Sequence, residues 1–162
     1  MTEPLLAEPG VQQAIELVWH EAKLLDDKDY PAWQALYTDD AYYVIPIDRE
    51  TKDFASCLNI VYDDARMRSM RVERMIQGYS PSAVAAASTV RTLGRFTLEA
   101  VQDDVVVLKS VQILCAYKRQ ELETFAAEVE HHVVLGDTPR IRLKVIRLLN
   151  SDDPVPGAGF LL

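Results

Sequence analysis

"VVVLKSVQILCAYKRQELETFAAEVEHHVVLGDTPRIRLKVIRLLN", Val105–Asn150, decides the fold. Three extended runs, near 105–118, 121–135 and 140–150, are separated by "KRQ" and "GDTP", lengths that suit antiparallel hairpins. A fourth run, near 89–101, precedes them across the turn "QDD". In "VVLKSVQILCAY" the residues Val107, Val111, Ile113, Cys115 and Tyr117 share one face, interrupted by Lys109, the period-two alternation of a strand. Runs longer than the usual strand of about 5–6 residues predict a strongly twisted, curved sheet.

Upstream the period changes. Val11, Ile15, Val18, Ala22 and Leu25, widened by Leu17, Trp19 and Leu24, form a broad helical stripe. It ends at "DDKDYP", where Pro31 breaks one helix and starts a short second one, "PAWQALY". "AYYVIPI" reads as a short strand that Pro46 places at a sheet edge or at its own end. The segment from Asp48 to Asn59 has no period and reads as a loop. "VYDDARMRSMRVERM", Val61–Met75, is a further helix with Asp63 or Asp64 as its N-cap and Gly78 closing it in the left-handed conformation. On its wheel Arg66, Ser69, Glu73 and Gln77 make a solvated face. Arg71 and Arg74 fall beside Met67 and Met70, on the side that a lone domain buries.

Helices followed by a long meander predict an α+β protein, with N-terminal helices packed in a strongly curved antiparallel sheet. The whole of 1–162 reads as one domain: a helical part at about 10–78, the sheet at about 84–150 and a short tail at 151–162. A net charge of −8 sets the chain against nucleic acid and anionic membrane as partners. Cys57 and Cys115 form neither a disulfide framework nor a C-x-x-C pair. The N-terminal "MTEPLLAEPG" lacks the features of a secretory leader, and no apolar run reaches the roughly 20 residues of a membrane span. A cytoplasmic protein is expected.

Chemistry is sparse. His131 and His132, neighbours on a strand, point to opposite faces and cannot share an ion; Glu130 and His132 share a face, but two ligands are too few for a metal. No nucleophile elbow or glycine-rich phosphate loop occurs. A buried carboxylate moving protons needs no motif, and His20, Asp40 and Tyr42 are the candidates for a pocket between helices and sheet. Asp39 and Asp40 read better as turn residues before a strand. Methionine beside buried arginine heads is a composition favoured at protein interfaces, which makes Arg71 and Arg74 ion-pair donors within the domain or toward a partner.

"HEAKLLDDKDYPAWQALYTDDAYYVIP" followed by "VYDDARMRSMRVERM" resembles the small (beta) subunit of aromatic-ring-hydroxylating dioxygenases. The matching positions are Glu21, Ala22, Leu24, Leu25, Asp26, Asp27, Tyr30, Trp33, Leu36, Tyr37, Asp39, Asp40, Ala41, Tyr43 and Pro46. Tyr62, Asp63, Asp64, Arg71, Val72 and Arg74 follow, with Met70 the loosest match. The resemblance covers about residues 11–78 closely and the strands by pattern and length. It implies the cone-shaped fold of the nuclear transport factor 2-like, cystatin-like superfamily. It also implies an oxidoreductase of aromatic catabolism in which this chain has no catalytic residue and binds no cofactor. A large (alpha) subunit would carry a Rieske iron–sulfur cluster and a mononuclear iron, in a hexamer of three large and three small subunits. Asp26, Asp27, Trp33, Tyr62, Asp63, Asp64, Arg71 and Arg74 are then structural or interface residues. One departure stands out: Ala83–Ala87 replace the R-T and histidine usual in such subunits, which implies an altered contact with the partner. Two rival readings remain: a free-standing isomerase or dehydratase of the same fold using His20, Asp40 and Tyr42, and a ligand-binding or dimerisation module.

Overall fold

A computed structural model describes residues 3–77, 87–151 and 161–162. Helix α1 (Pro9–Asp26) starts on a proline, whose missing N–H costs nothing in a first turn, and buries Val11, Ala14, Ile15, Leu17, Val18, Ala22 and Leu25. Asp29 caps α2 (Tyr30–Ala35), its carboxylate accepting from Ala32 N at 3.2 Å. Strand β1 (Tyr37–Pro46) leads through a loop with a 3-10 turn at Phe54–Ser56 to β2 (Asn59–Asp63) and α3 (Ala65–Ile76). The meander follows as β3 (Ser88–Gln102), β4 (Val105–Lys118), β5 (Glu121–Val134) and β6 (Arg140–Leu148).

All six strands form one sheet in the order β2-β1-β6-β5-β4-β3. Neighbours are antiparallel except β1 and β6, which run parallel, so the early strand closes against the last one. The β4–β5 turn places Arg119 and Gln120 both at positive φ (53° and 64°), the backbone that matches the twist of a tight hairpin. Two register slips in β3, between Gly94 and Thr97 and between Leu98 and Ala100, bend that strand, with Arg95 left-handed at φ 49°. The concave face receives α1 against β3 and β4, while α3 packs on α2 and β1. The core lies between helices and sheet, with Trp33, Tyr43, Leu108, Leu114, Ile141 and Ile146 fully buried.

The α+β fold and the four long strands match the sequence reading, and four details do not. First, the sheet does not begin near residue 84: β1 and β2 belong to it, because β1 finds its partner in β6, about a hundred residues away and invisible to local periodicity. Second, β2 has five residues, four of them half-buried, at the sheet edge, a pattern with no alternation to read. Third, the face carrying Val107, Val111, Ile113, Cys115 and Tyr117 points outward. The inward face is Val106, Leu108, Ser110, Gln112, Leu114 and Ala116. Two polar residues inside and five apolar ones outside weaken the inward signal.

Fourth, α3 buries Arg68 and Val72, whereas Met67 and Met70 remain 44% and 47% exposed. Arg68 is kept inside by donating to the carbonyls of Ala41 (2.5 Å) and Thr38 (3.3 Å), with its guanidinium 4.8 Å from the Tyr37 ring centroid. The N-cap of α3 is Asp64, which accepts from Met67 N at 2.9 Å. Its neighbour Asp63 points the other way. Asp64→Ala is expected to lower stability by about 1 kcal/mol, read from the urea midpoint. Gly78 and Ala83 to Ala86 lie outside the described residues; Ala87 is buried.

Candidate functional site

The centre of the cone is polar. Glu21 sits on the buried stripe of α1 with its side chain only 2% exposed, and four donors surround its carboxylate. Trp33 Nε1 from α2 donates at 2.9 Å and the Tyr37 hydroxyl from β1 at 2.6 Å, both to Oε2. His131 Nε2 from β5 lies at 2.9 Å and Lys144 Nζ from β6 at 3.1 Å, both on Oε1. Strand register explains the convergence. Lys144 pairs directly with His131 on one side and with Tyr43 on the other, so three adjacent strands offer one row of side chains to the helix. Trp33 packs edge-on against Tyr37 and Tyr43, with ring centroids 5.0 and 5.6 Å away, and walls the cluster off.

Burial alone would raise the Glu21 carboxyl. The Lys144 ammonium and the hydrogen bonds from His131 and Tyr37 overcome it and hold the group well below the usual carboxylate range. Burial lowers His131, opposed by Glu21, so the ring stays neutral with its N–H on Nε2; Nδ1 is a bare lone pair with no partner. Burial also lowers Lys144, again against the pull of Glu21. Tyr37 is pushed well above its ordinary range by burial and by the glutamate beside it, and it remains a donor. A carboxylate has about four lone-pair sites, and here each is taken. Glu21 is therefore poorly placed to accept a proton from anything else.

A second polar group lies nearby. Asp26 on α1 accepts from the backbone N–H of Arg91 (2.9 Å), from Thr89 Oγ1 (2.9 Å) and from the Arg91 guanidinium. Leu161 and Leu162 are buried in the same core, and their main-chain oxygens accept from Arg91, Lys144 and Tyr43. On the outer face of the sheet, His132 pairs with Glu130 at 3.0 Å beside a cleft of about 330 Å³ under the Arg49–Phe54 loop. The hydrogen bond from His132 lowers the Glu130 carboxyl.

The candidates for a proton-moving pocket are not in the cone. His20 faces solvent, Asp40 is 72% exposed beside Arg142 and hydrogen-bonded to Thr38, and Tyr42 is 38% exposed. The reason is register: Glu21 and Tyr43, one residue along from His20 and Tyr42, take the inward positions. Of the structural candidates, Trp33 and Asp26 hold the clusters just described. Asp63 is buried and binds Arg71 through two bonds, Nε to Oδ2 at 2.6 Å and Nη2 to Oδ1 at 3.2 Å. Tyr62 stacks on Tyr42, centroids 5.0 Å apart. Asp27 is an exposed partner of Lys23, and Arg74 is exposed rather than buried. Residue patterns assigned no role to Lys144, Arg68 or Arg91. The available signal was a charge on an otherwise apolar inward row, as with Lys144 in line with Ile146 and Leu148.

Known proteins share this architecture. The beta subunit of benzoate 1,2-dioxygenase from Burkholderia mallei superimposes with a TM-score of 0.77 at 23% identity, covering 99% of this chain and 100% of that one. A naphthalene 1,2-dioxygenase structure with indole bound gives 0.70 at 18% identity, covering 93% and 82%. A nuclear transport factor 2-like protein with a cystatin-like fold from Novosphingobium aromaticivorans gives 0.59 at 14%, covering 83% and 79%. Comparison with curated proteins by sequence finds no match. These identities establish the nuclear transport factor 2-like fold. The sequence profile of the ring hydroxylating beta subunit family matches residues 20–152, most of the chain including all the strands just described, and the chain belongs to that family.

Proposed function

We propose that this chain is a non-catalytic structural subunit of an aromatic-ring-hydroxylating dioxygenase, supporting a large subunit in a hexamer of three large and three small chains in the cytoplasm. The observation that carries this reading is the state of Glu21. The deepest carboxylate in the cone is saturated by Trp33, Tyr37, His131 and Lys144, an arrangement that ties α1 and α2 to β1, β5 and β6. Side chains of acid–base character are present, and they serve to hold elements together.

Among the described residues, no three His, Cys, Asp or Glu side chains converge as a metal site requires, so those residues do not fit a Rieske cluster or a mononuclear iron. In this reading both groups belong to the large subunit and supply electron delivery and dioxygen activation there. Among the described residues no helix is long and apolar enough to cross a membrane.

The outer face supports an assembling role. Val90 (67% exposed), Ile113, Tyr117 and Leu122 lie on neighbouring strands through the pairs Val90↔Cys115, Thr92↔Ile113 and Tyr117↔Leu122. Such a patch is unusual on a chain that works alone. Co-expression with a large subunit should give a complex that hydroxylates an aromatic ring, while this chain alone turns over nothing. Turnover by the purified chain alone would overturn the reading. Ile113→Glu and Tyr117→Glu are expected to weaken assembly about tenfold or more, measured by light scattering, with thermal stability of the free chain close to unchanged.

A further inference from the structure

The Arg49–Phe54 loop stands over the outer face of the sheet and walls one side of the cleft of about 330 Å³. The floor is the outward side of β4, β5 and β6, where Lys109 pairs with Glu130, His132 with Leu143 and Glu128 with Arg147. The loop is tied down by main-chain bonds. Arg147 Nη1 donates to Arg49 O at 2.9 Å and to Thr51 O at 2.8 Å, with its guanidinium 5.5 Å from the Phe54 ring centroid. Asp48 Oδ1 accepts from Glu50 N at 2.9 Å, and Ser151 Oγ donates to Ile47 O at 2.6 Å at the base of the loop.

Charges on the floor are matched, with Lys109 and Arg147 set against Glu128 and Glu130. They are also engaged: Glu130 is bonded to His132 at 3.0 Å, Glu128 lies 3.8 Å from Arg95, and Lys109 lies 3.6 Å from Glu99. The loop wall differs. Among the described residues the Arg49 and Lys52 side chains have no hydrogen-bond or ion-pair partner, and Arg49 Nε is buried in that state. Buried N–H groups without an acceptor are costly and call for a reason. Glu50, exposed on the same wall, offsets one of the two cations. With histidine counted neutral, the cleft therefore holds one positive charge in excess, on a chain whose net charge is −8. Phe54 and Leu143 add apolar surface beside the free cations.

We propose that this cleft binds a small organic monoanion, a carboxylate on a compact apolar body. The carboxylate takes the Arg49 guanidinium, whose planar fork suits two parallel bonds, with Lys52 beside it. The apolar body rests on Phe54 and Leu143. A volume of about 330 Å³ is at the small end of ligand pockets, which limits the body to a single ring or a short branched chain. A second negative charge on the ligand would meet Glu128 and Glu130 on the floor. The site lies outside the cone, is built from this chain's own residues and stands whether or not the subunit reading holds.

The test uses the full chain and cyclohexylacetate, followed by calorimetry and backbone NMR. A Kd of about 1 mM or tighter is expected, with the largest shifts at residues 49–54, in β5 and in β6. Arg49→Gln should weaken binding about tenfold and Lys52→Gln several-fold, whereas Glu50→Gln should tighten it about two- to threefold. None of these three side chains has a partner in the fold, so thermal stability should stay the same in each variant. Cyclohexylacetamide, which lacks the charge, and acetate, which lacks the apolar body, should each bind at least about tenfold more weakly. Arg66→Gln, an equal charge change on the exposed side of α3, should leave the affinity unaltered. Absence of saturable binding, or equal affinity for acid and amide, overturns the proposal. Equal affinity for acetate means an adventitious ion only and overturns it as well. Equal weakening by Arg49→Gln and Arg66→Gln assigns the effect to net charge and has the same consequence.

Discussion

Glu21→Ala is expected to cost about 3–5 kcal/mol of folding stability, read as a fall in the urea midpoint with an unchanged slope. The lost hydrogen bonds are the smaller part. The substitution leaves the Lys144 ammonium buried without its counter-charge and strands the Trp33 and Tyr37 donors in a dry core. Glu21→Gln keeps the shape but turns an NH2 group toward donors that need acceptors, so it should also destabilise. Adding Lys144→Met to Glu21→Ala should recover part of the loss, because an apolar pair needs no compensation. A double-mutant cycle would show this as a double variant less damaged than the sum of the singles. Strict additivity would mean that the pair is not coupled.

The same cluster sets a pH dependence. The folded-state carboxyl of Glu21 is depressed, so its contribution is complete above the unfolded carboxylate range, near pH 4.3, and is lost as pH falls toward the folded value. His131 is also depressed in the folded state, so the unfolded chain takes up that proton first as pH falls below about 6.5. Both act in one direction, and stability should decline from near neutrality down into the acid range. Unfolding curves across that range check it. A Glu21→Gln chain should lose the acidic part of the slope and keep the part due to His131.

Arg71→Glu is expected to destabilise by about 3–5 kcal/mol, and Arg74→Glu by no more than about 0.5 kcal/mol. The two arginines stand three residues apart on one helix and look equivalent in sequence. Arg71 makes a bidentate pair with Asp63, whose side chain is 1% exposed, so reversal removes the counter-charge of a buried carboxylate and sets a second carboxylate beside it. Arg74 faces solvent. If the two variants lose similar stability in urea, the assignment of Asp63 as the internal partner fails. If Arg74→Glu weakens only assembly, that exposed turn of α3 is part of an interface.

Much of the architecture was legible because it is periodic and local. The β4 strand, 105–118, was read to the residue, and the other long strands to within one or two, since tight turns interrupt strong β patterns. An aspartate cap on α3, Asp63 or Asp64, was legible for the same reason, being a short-range interaction, and the structure selects Asp64. The clusters were not. Glu21 lies in the resembling motif, but nothing local distinguishes a carboxylate that faces four donors from one that faces water.

From sequence alone came the helices, the four-strand meander, the α+β class, the opposed faces of His131 and His132 and the resemblance to the beta subunit family. These follow from patterns within a few residues or from matched motifs. Tertiary structure decided that β1 closes on β6, that Tyr43, Lys144 and His131 stand in one row against Glu21, and that Arg71 rather than Arg74 meets Asp63. It also decided that Leu161 and Leu162 return to the core. The physical reason is common to all of these. A buried charge is tolerated only where partners from distant parts of the chain converge, and that convergence is a property of register and curvature, which no single segment encodes.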